Sequence, residues 1–330
     1  MQNITNFKSL WQSTFDDSQE FVDFYFDKIF SEKRNIFIEE NGKIISCLQA
    51  IPFPMKIEAK VVPTCYLSGI LTDKNFQKRG FMRQLLQKTH SQLYSNGVWA
   101  TTLIPSDKYL FEIYKKFGYE AIFKIDFEKY FFDNKLQNTD YQIVELQKNE
   151  RKIAYEYFNK KSFEREISLL ATENYFEIIC DLIELEQKKI FTAKYSENIV
   201  GIVFASEKGE ILELFADNED IRKFLLNKIL QEFDLQEVTF QFFAQKQDFG
   251  MLRIINVEKF LNLFAQINFE KEFEFNIFDN EISENSGFYT LKNGFCEKQS
   301  INNQPITTIN HLTKIIFENK ISATTYMMNK

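Results

Sequence analysis

The stretch from Cys65 to Tyr119 constrains this chain more than any other. Tyr66-Leu-Ser-Gly-Ile-Leu-Thr72 is apolar enough for a buried strand that ends at a turn. Met82, Leu85, Leu86, Thr89 and Leu93 then recur at i, i+3, i+4, i+7 and i+11, one face of an amphipathic helix. Between them lies the polar turn Gln77-Lys78-Arg79-Gly80-Phe81-Met82. A strand that runs through such a loop into a helix aims several backbone N–H groups, with the positive end of the helix dipole, at one spot. Gly80 lets the backbone approach closely because it has no Cβ. Lys78 and Arg79 add positive charge. The arrangement is an anion site, and the anion such loops usually hold is a phosphate.

The loop lacks the Walker form ending in Gly-Lys-Ser/Thr and the Gly-x-Gly-x-x-Gly of dinucleotide folds. It resembles the Gln/Arg-x-x-Gly-x-Gly/Ala pyrophosphate loop of the GNAT N-acetyltransferases. Gln77 and Gly80 match, and Met82 stands where that pattern has a small residue. The family's Eis-type (enhanced intracellular survival) branch tolerates this departure, since its loop reads basic-basic-basic-Gly followed by bulky apolar residues. Val98 to Ile104 reads as the next strand, and Ser106-Asp107 can cap a helix. Leu110 to Tyr119, with Tyr114 ahead of Phe117-Gly118-Tyr119, is similar to the family's tyrosine-bearing helix. Far downstream, Met251 to Leu261 looks like the segment that opens the branch's C-terminal sterol-carrier-like domain.

The resemblance implies a mixed α+β fold, with tandem GNAT-like acyl-CoA acyltransferase domains, a small C-terminal sterol-carrier-like α+β domain, and acetyl-CoA as cofactor. It implies that main-chain groups of the Ile70-Leu71-Thr72 segment pair with the pantetheine arm like an added strand. The N–H groups of Gln77, Lys78, Arg79, Gly80, Phe81 and Met82 would grip the pyrophosphate. Ser106 would bond the pantetheine amide, although a helix N-cap explains it equally well. Tyr114 would act as general acid toward the leaving thiolate; its plain alternative is core packing beside Leu110, Ile113 and Phe117. No Glu lies on Tyr66 to Thr72 to serve as base. In the resembled branch the terminal carboxylate enters the active site, and here that group belongs to Lys330. A carboxylate is a poor base toward an ammonium unless burial raises its pKa, and deprotonation through water is the alternative. Glu39 and Glu40 read as surface charges.

At 330 residues the chain suggests two or three domains, and 44% hydrophobic residues with 37 Phe can fill their cores. A net charge of −7 argues against a nucleic-acid partner, which would call for a basic patch, and suits a small cationic amine substrate better. Cys47, Cys65, Cys180 and Cys296 lie far apart and only two histidines are present, so neither a metal site nor a disulfide framework is expected. No run approaches a membrane span, and the opening Met-Gln-Asn-Ile-Thr-Asn has no basic, apolar signal region, so a cytoplasmic protein is expected. A homo-oligomer is compatible with the sequence.

In chain order, a helix is expected over 17–32. A hairpin follows over 35–39 and 43–48, turning at Glu40-Asn41-Gly42. Ile51-Pro-Phe-Pro54 should interrupt it, with a further strand at 57–62. After the central strand, loop and helix come a strand at 98–104, the tyrosine helix and a strand at 123–132. Polar Asp133 to Asp140 marks a boundary. Strand-like runs at 190–195, 199–206 and 210–215, a helix at 221–233 and a strand at 238–243 then repeat the first domain's spacing. The second loop, Ala216-Asp-Asn-Glu-Asp-Ile221, has no glycine and three acids, so this copy is expected to hold no cofactor. Helices at 256–265 and 306–318 with strands at 269–278 and 287–292 complete the chain, and the apolar tail with Tyr326, Met327 and Met328 should pack. The expected division is 1–132 (catalytic), 133–249 (degenerate sister) and 250–330 (sterol-carrier-like). Two other readings stand beside N-acetyl transfer to an amine: an aminoacyl or peptidyl transferase built from tandem acyltransferase units, and a non-catalytic CoA-binding scaffold.

Overall fold

The computed structural model describes residues 2–134, 140–318 and 320–324. Most of the Asp133 to Asp140 boundary segment and all of the Tyr326-Met327-Met328 tail therefore lie outside the described residues. The chain forms two compact units. The first comprises Met1–Met55, Lys60–Ile122 and Phe249–Lys320; the second comprises Lys56–Ala59, Phe123–Asp248 and Ile321–Lys330. Where the sequence suggests three domains, residues 249–320 thus share a unit with the N-terminal part.

The first unit opens with helices Gln2–Thr14 and Gln19–Phe24, the latter running on through a wide turn at Tyr25–Ile29. Phe26 stands edge-to-face to Phe7, Trp11 and Tyr25, and Trp11 lies tilted against Tyr25. Strands Asn35–Glu40 and Lys43–Pro52 make the expected hairpin, with Asn41 and Gly42 at φ 53° and 75°, the double positive φ that an Asn-Gly turn supplies. The second strand continues through Ile51 instead of stopping there. Pro52 occupies its last position, where a missing N–H costs no ladder bond.

Strand Thr64–Thr72 pairs antiparallel with Lys43–Pro52 and parallel with Ala100–Leu103. The parallel ladder holds only at Thr64↔Ala100, Cys65↔Thr101 and Tyr66↔Thr102, so the strands part beyond it. Helix Phe81–Ser95 lies after the first of these strands and helix Lys108–Lys115 after the second. Leu85, Leu86, Thr89 and Leu93 are buried as their spacing requires, and the three leucines pack with Leu67, Leu103, Tyr114 and Phe117 in one core. Strand Gln247–Ile254 joins this sheet, pairing antiparallel with Ala100–Leu103 from Met251↔Leu103 to Ile254↔Ala100. The remainder of the unit is a four-stranded sheet, in the order Phe295–Gln299, Gly287–Lys292, Phe273–Ile277, Ile306–Thr307, with helices Val257–Ile267 and Ile309–Phe317.

The second unit repeats the sequence of elements. Helices Arg151–Glu164 and Glu173–Leu185 precede antiparallel strands Lys189–Tyr195, Asn198–Ala205 and Glu210–Ala216. Helix Glu219–Glu232 then leads to strand Glu237–Phe243, which lies parallel to Glu210–Ala216 over only two pairs. Leu225, Leu226, Ile229 and Leu230 of the helix fill the core against Phe191, Val203 and Val238. A second acyltransferase-like fold is therefore present, as the spacing predicts.

Candidate functional site

The loop of the first unit is assembled from both ends. On the strand side, Thr72 Oγ1 lies 2.9 Å from Ser46 Oγ. Asp73 Oδ1 accepts from Asn75 N at 2.9 Å and starts the short turn Lys74–Phe76. The Lys43 ammonium, 2.6 Å from Asp73 Oδ2, holds that carboxyl below the usual carboxylate range. Its charge is thus neutralised before the loop begins. Lys78 (φ 62°) and Gly80 (φ 86°) both turn through the left-handed region, and Gly80 is the N-cap of helix Phe81–Ser95.

Nothing within the helix occupies that end. Among the described residues no side chain caps it and its first turn carries no acid, so the first amides and the dipole remain available to an anion. Gln77, Lys78, Arg79 and Gly80 are exposed, and a Cβ at Gly80 would meet nothing within 4 Å. Met82 packs onto the core and Phe81 sits edge-on against Phe76, 6.0 Å between centroids. The two bulky residues that could cover the loop are thereby turned aside. The Arg79 guanidinium lies 5.2 Å over Phe76 and that of Arg83 5.2 Å over Phe117, leaving a basic rim. An exposed, glycine-opened and basic helix start fits a diphosphate.

The neighbouring strands fit an extended ligand arm. Ile70 and Thr72 are half-buried on the part of Thr64–Thr72 that has lost its parallel neighbour. At the last parallel pair, Thr102 Oγ1 is buried with no hydrogen-bond partner among the described residues, an unmet polar group of the kind a bound amide can satisfy. Ser106 is exposed. It donates to Asp107 Oδ2 at 3.3 Å, and Asp107, not Ser106, is the N-cap of helix Lys108–Lys115.

Tyr114 is 6% exposed and lies in the core cluster that also receives Ile70 and Met82, so strand, loop helix and tyrosine helix meet there. Its ring stands edge-on to Tyr119 at 5.8 Å. Burial, and beyond it the neighbouring Tyr109, push its phenol above the ordinary tyrosine range, so the group stays protonated at neutral pH. Glu39 and Glu40 are exposed. Lys330 lies outside the described residues.

Sequence reasoning passed over a buried polar network behind the loop helix. His90 Nδ1 lies 2.5 Å from Glu281 Oε2 and its Nε2 3.0 Å from Tyr119 Oη, which in turn lies 2.9 Å from Thr101 Oγ1. Arg253, 1% exposed, donates to both oxygens of Asp279 at 2.8 Å and to Phe117 O at 2.8 Å. The available signal was His90 on the apolar face of the helix, between Leu86 and Leu93. Burial, only partly offset by the bond to Glu281 and reinforced by the Arg253 charge, lowers the imidazole pKa and keeps His90 neutral.

Residues 2–122 match the family model described as an acetyltransferase (GNAT) domain. No curated protein matches the chain in sequence. Among solved structures, a GCN5-related N-acetyltransferase from Anabaena variabilis ATCC 29413 is similar with a TM-score of 0.80 at 16% identity, covering 100% of this chain and 94% of that one. A conserved protein of unknown function from Enterococcus faecalis V583 gives 0.77 at 13% identity over 99% and 93% of the two chains. Eis1 from Mycobacterium abscessus gives 0.73 at 10% identity over 96% and 87%. These structures share the fold along nearly the whole chain. The matched domain makes the chain an N-acyltransferase, with acetyl-CoA as its cofactor.

Proposed function

We propose that the acetyltransferase domain moves an acetyl group from acetyl-CoA to the primary amine of a small cationic substrate, in a ternary complex, and that the chain is of the Eis type. The observation that carries this reading is the open helix start at Gly80 beside strands that part at Tyr66↔Thr102. The amides of Gln77 through Met82 hold the diphosphate, and the main chain of Ile70, Leu71 and Thr72 holds the pantetheine arm, with Ser106 at the far strand's exit. Acetyl-CoA supplies the activated thioester. The chain contributes chiefly position, which converts a bimolecular encounter into a local one. Tyr114 Oη keeps its proton at neutral pH and delivers it to the departing thiolate, while the substrate ammonium loses its proton to water before attack. The likeness to Eis1 and the four-stranded α+β region after Ile254 support the branch and a sterol-carrier-like C-terminal part.

Calorimetric titration with acetyl-CoA, followed by thiol release over a panel of amines, tests the reading. Binding with turnover on cationic amines is the expected result. Binding without turnover would favour a CoA-holding scaffold. No binding would favour a tandem enzyme using charged tRNA, against which the net charge of −7 already argues.

A further inference from the structure

The second unit has its own parting of strands. The ladder between Glu210–Ala216 and Glu237–Phe243 ends at Ile211↔Phe240. Beyond that point the first strand stays with Asn198–Ala205 and the second with Glu120–Phe131. A cleft of about 700 Å³ opens between them, within the roughly 300–1,000 Å³ range of small-molecule sites.

Its charges are arranged for a cation. Among the described residues, Glu128, Glu166, Glu213 and Glu219 line it against Arg165 and Arg222. Both guanidiniums are already engaged. Arg222 donates to Glu128 at 2.9 Å and to Glu219 at 3.0 Å while lying 4.6 Å over Phe240. Arg165 donates to Glu213 Oε1 at 3.0 Å and lies 4.3 Å over Phe215. The helix that begins at the cleft has Glu219 and Asp220 in its first turn, which cancels the positive end that would attract an anion.

Glu213 is the decisive group. Its side chain is 8% exposed, and among the described residues Arg165 is its one bonding partner, through a single oxygen. A carboxylate this buried is costly to keep charged beside a single guanidinium. Its other oxygen is not among the enclosed, unpartnered atoms and stays open to solvent, where an ammonium with three donors can bond it. Leu212, Leu214 and Phe242 supply apolar wall. We infer that this cleft is a ligand site for an organic cation with a primary ammonium head, seated on Glu213, and an apolar body. The inference stands apart from the acetyl-CoA reading, because no residue of the loop in the first unit takes part.

The test is calorimetry on the full chain with phenethylamine, alongside phenethyl alcohol and 3-phenylpropionate as neutral and anionic controls. Phenethylamine should bind about tenfold or more tighter than either control. Glu213→Gln should weaken it by about tenfold. Ala216→Phe, which adds bulk at a half-buried wall position and leaves every charged residue in the chain, should abolish it. In both variants the acetyl-CoA titration should match wild type, which also shows that the first unit is folded. If Glu213→Gln fails to fold, the Ala216→Phe result decides. Equal binding of alcohol or carboxylate, no binding of phenethylamine at millimolar concentration, or undiminished binding in the folded Ala216→Phe protein would each overturn the proposal. The last outcome would place the amine elsewhere in the chain.

Discussion

Two glycines separate a residue kept for function from one kept for structure. Gly80 has φ 86° and open space where a Cβ would go. Gly80→Ala should therefore cost only about 1 kcal/mol of left-handed strain, read by urea unfolding, yet weaken acetyl-CoA by about tenfold because the methyl group enters the space proposed to take the diphosphate. Gly118 has φ 81°, and a Cβ there would lie 1.9 Å from Arg253 Nη1. Gly118→Ala must expel a buried guanidinium from its pairing with Asp279, so a loss of about 3 kcal/mol is expected. Tyr114→Phe keeps the ring in its core and deletes only the hydroxyl proposed as the acid. Turnover should fall by about a hundredfold or more while the dissociation constant for acetyl-CoA stays within about twofold; unchanged turnover would remove Tyr114 from the mechanism.

Helix Phe81–Ser95 is the element on which the site depends, and His90 pins it from behind. His90 faces Glu281, Tyr119, Arg253 and Asp279, and its pKa lies below the ordinary 6.5. The unfolded chain then binds a proton at a pH where the folded chain does not. Stability must fall as pH drops below about 6.5, by at most about 1.4 kcal/mol per unit for this one group. Urea unfolding from about pH 7.5 to about pH 5 should show that slope, and His90→Gln should flatten it. Helices Gln2–Thr14, Arg151–Glu164 and Glu173–Leu185 escaped the sequence reading. In the first, Phe7, Leu10 and Trp11 do recur at helical spacing, but polar neighbours dilute the stripe. The expected helix over 17–32 loosens into a wide turn at Tyr25–Ile29, where Tyr25 packs against Trp11.

At the scale of the whole molecule, one fold is used twice with opposite electrostatics. The first unit's helix start is basic and open; the second's is acidic. Acetyl-CoA at about a hundred times its dissociation constant should stabilise the protein by about 2.7 kcal/mol, seen as a rise in melting temperature. Mutating the second loop, for instance Asp217→Ala, should leave that rise unchanged. Among the described residues no helix is long and apolar enough to cross a membrane, and no group of His, Cys, Asp and Glu could hold a metal.

The strand, loop and helix around Gly80, the repeated element spacing, and the charge of each loop were legible in the chain because they are local. They depend on periodicity, turn chemistry and sign of charge within about fifteen residues. Three other features were decided by long-range packing. Strand Gln247–Ile254 lies against Ala100–Leu103, more than a hundred residues away in sequence. Arg253 and Glu281 reach His90 only through that packing. Glu213 becomes a buried carboxylate only because Arg165 and the parted strands enclose it. No spacing rule encodes such meetings, since burial and partner identity are properties of the folded contacts and not of the neighbouring letters.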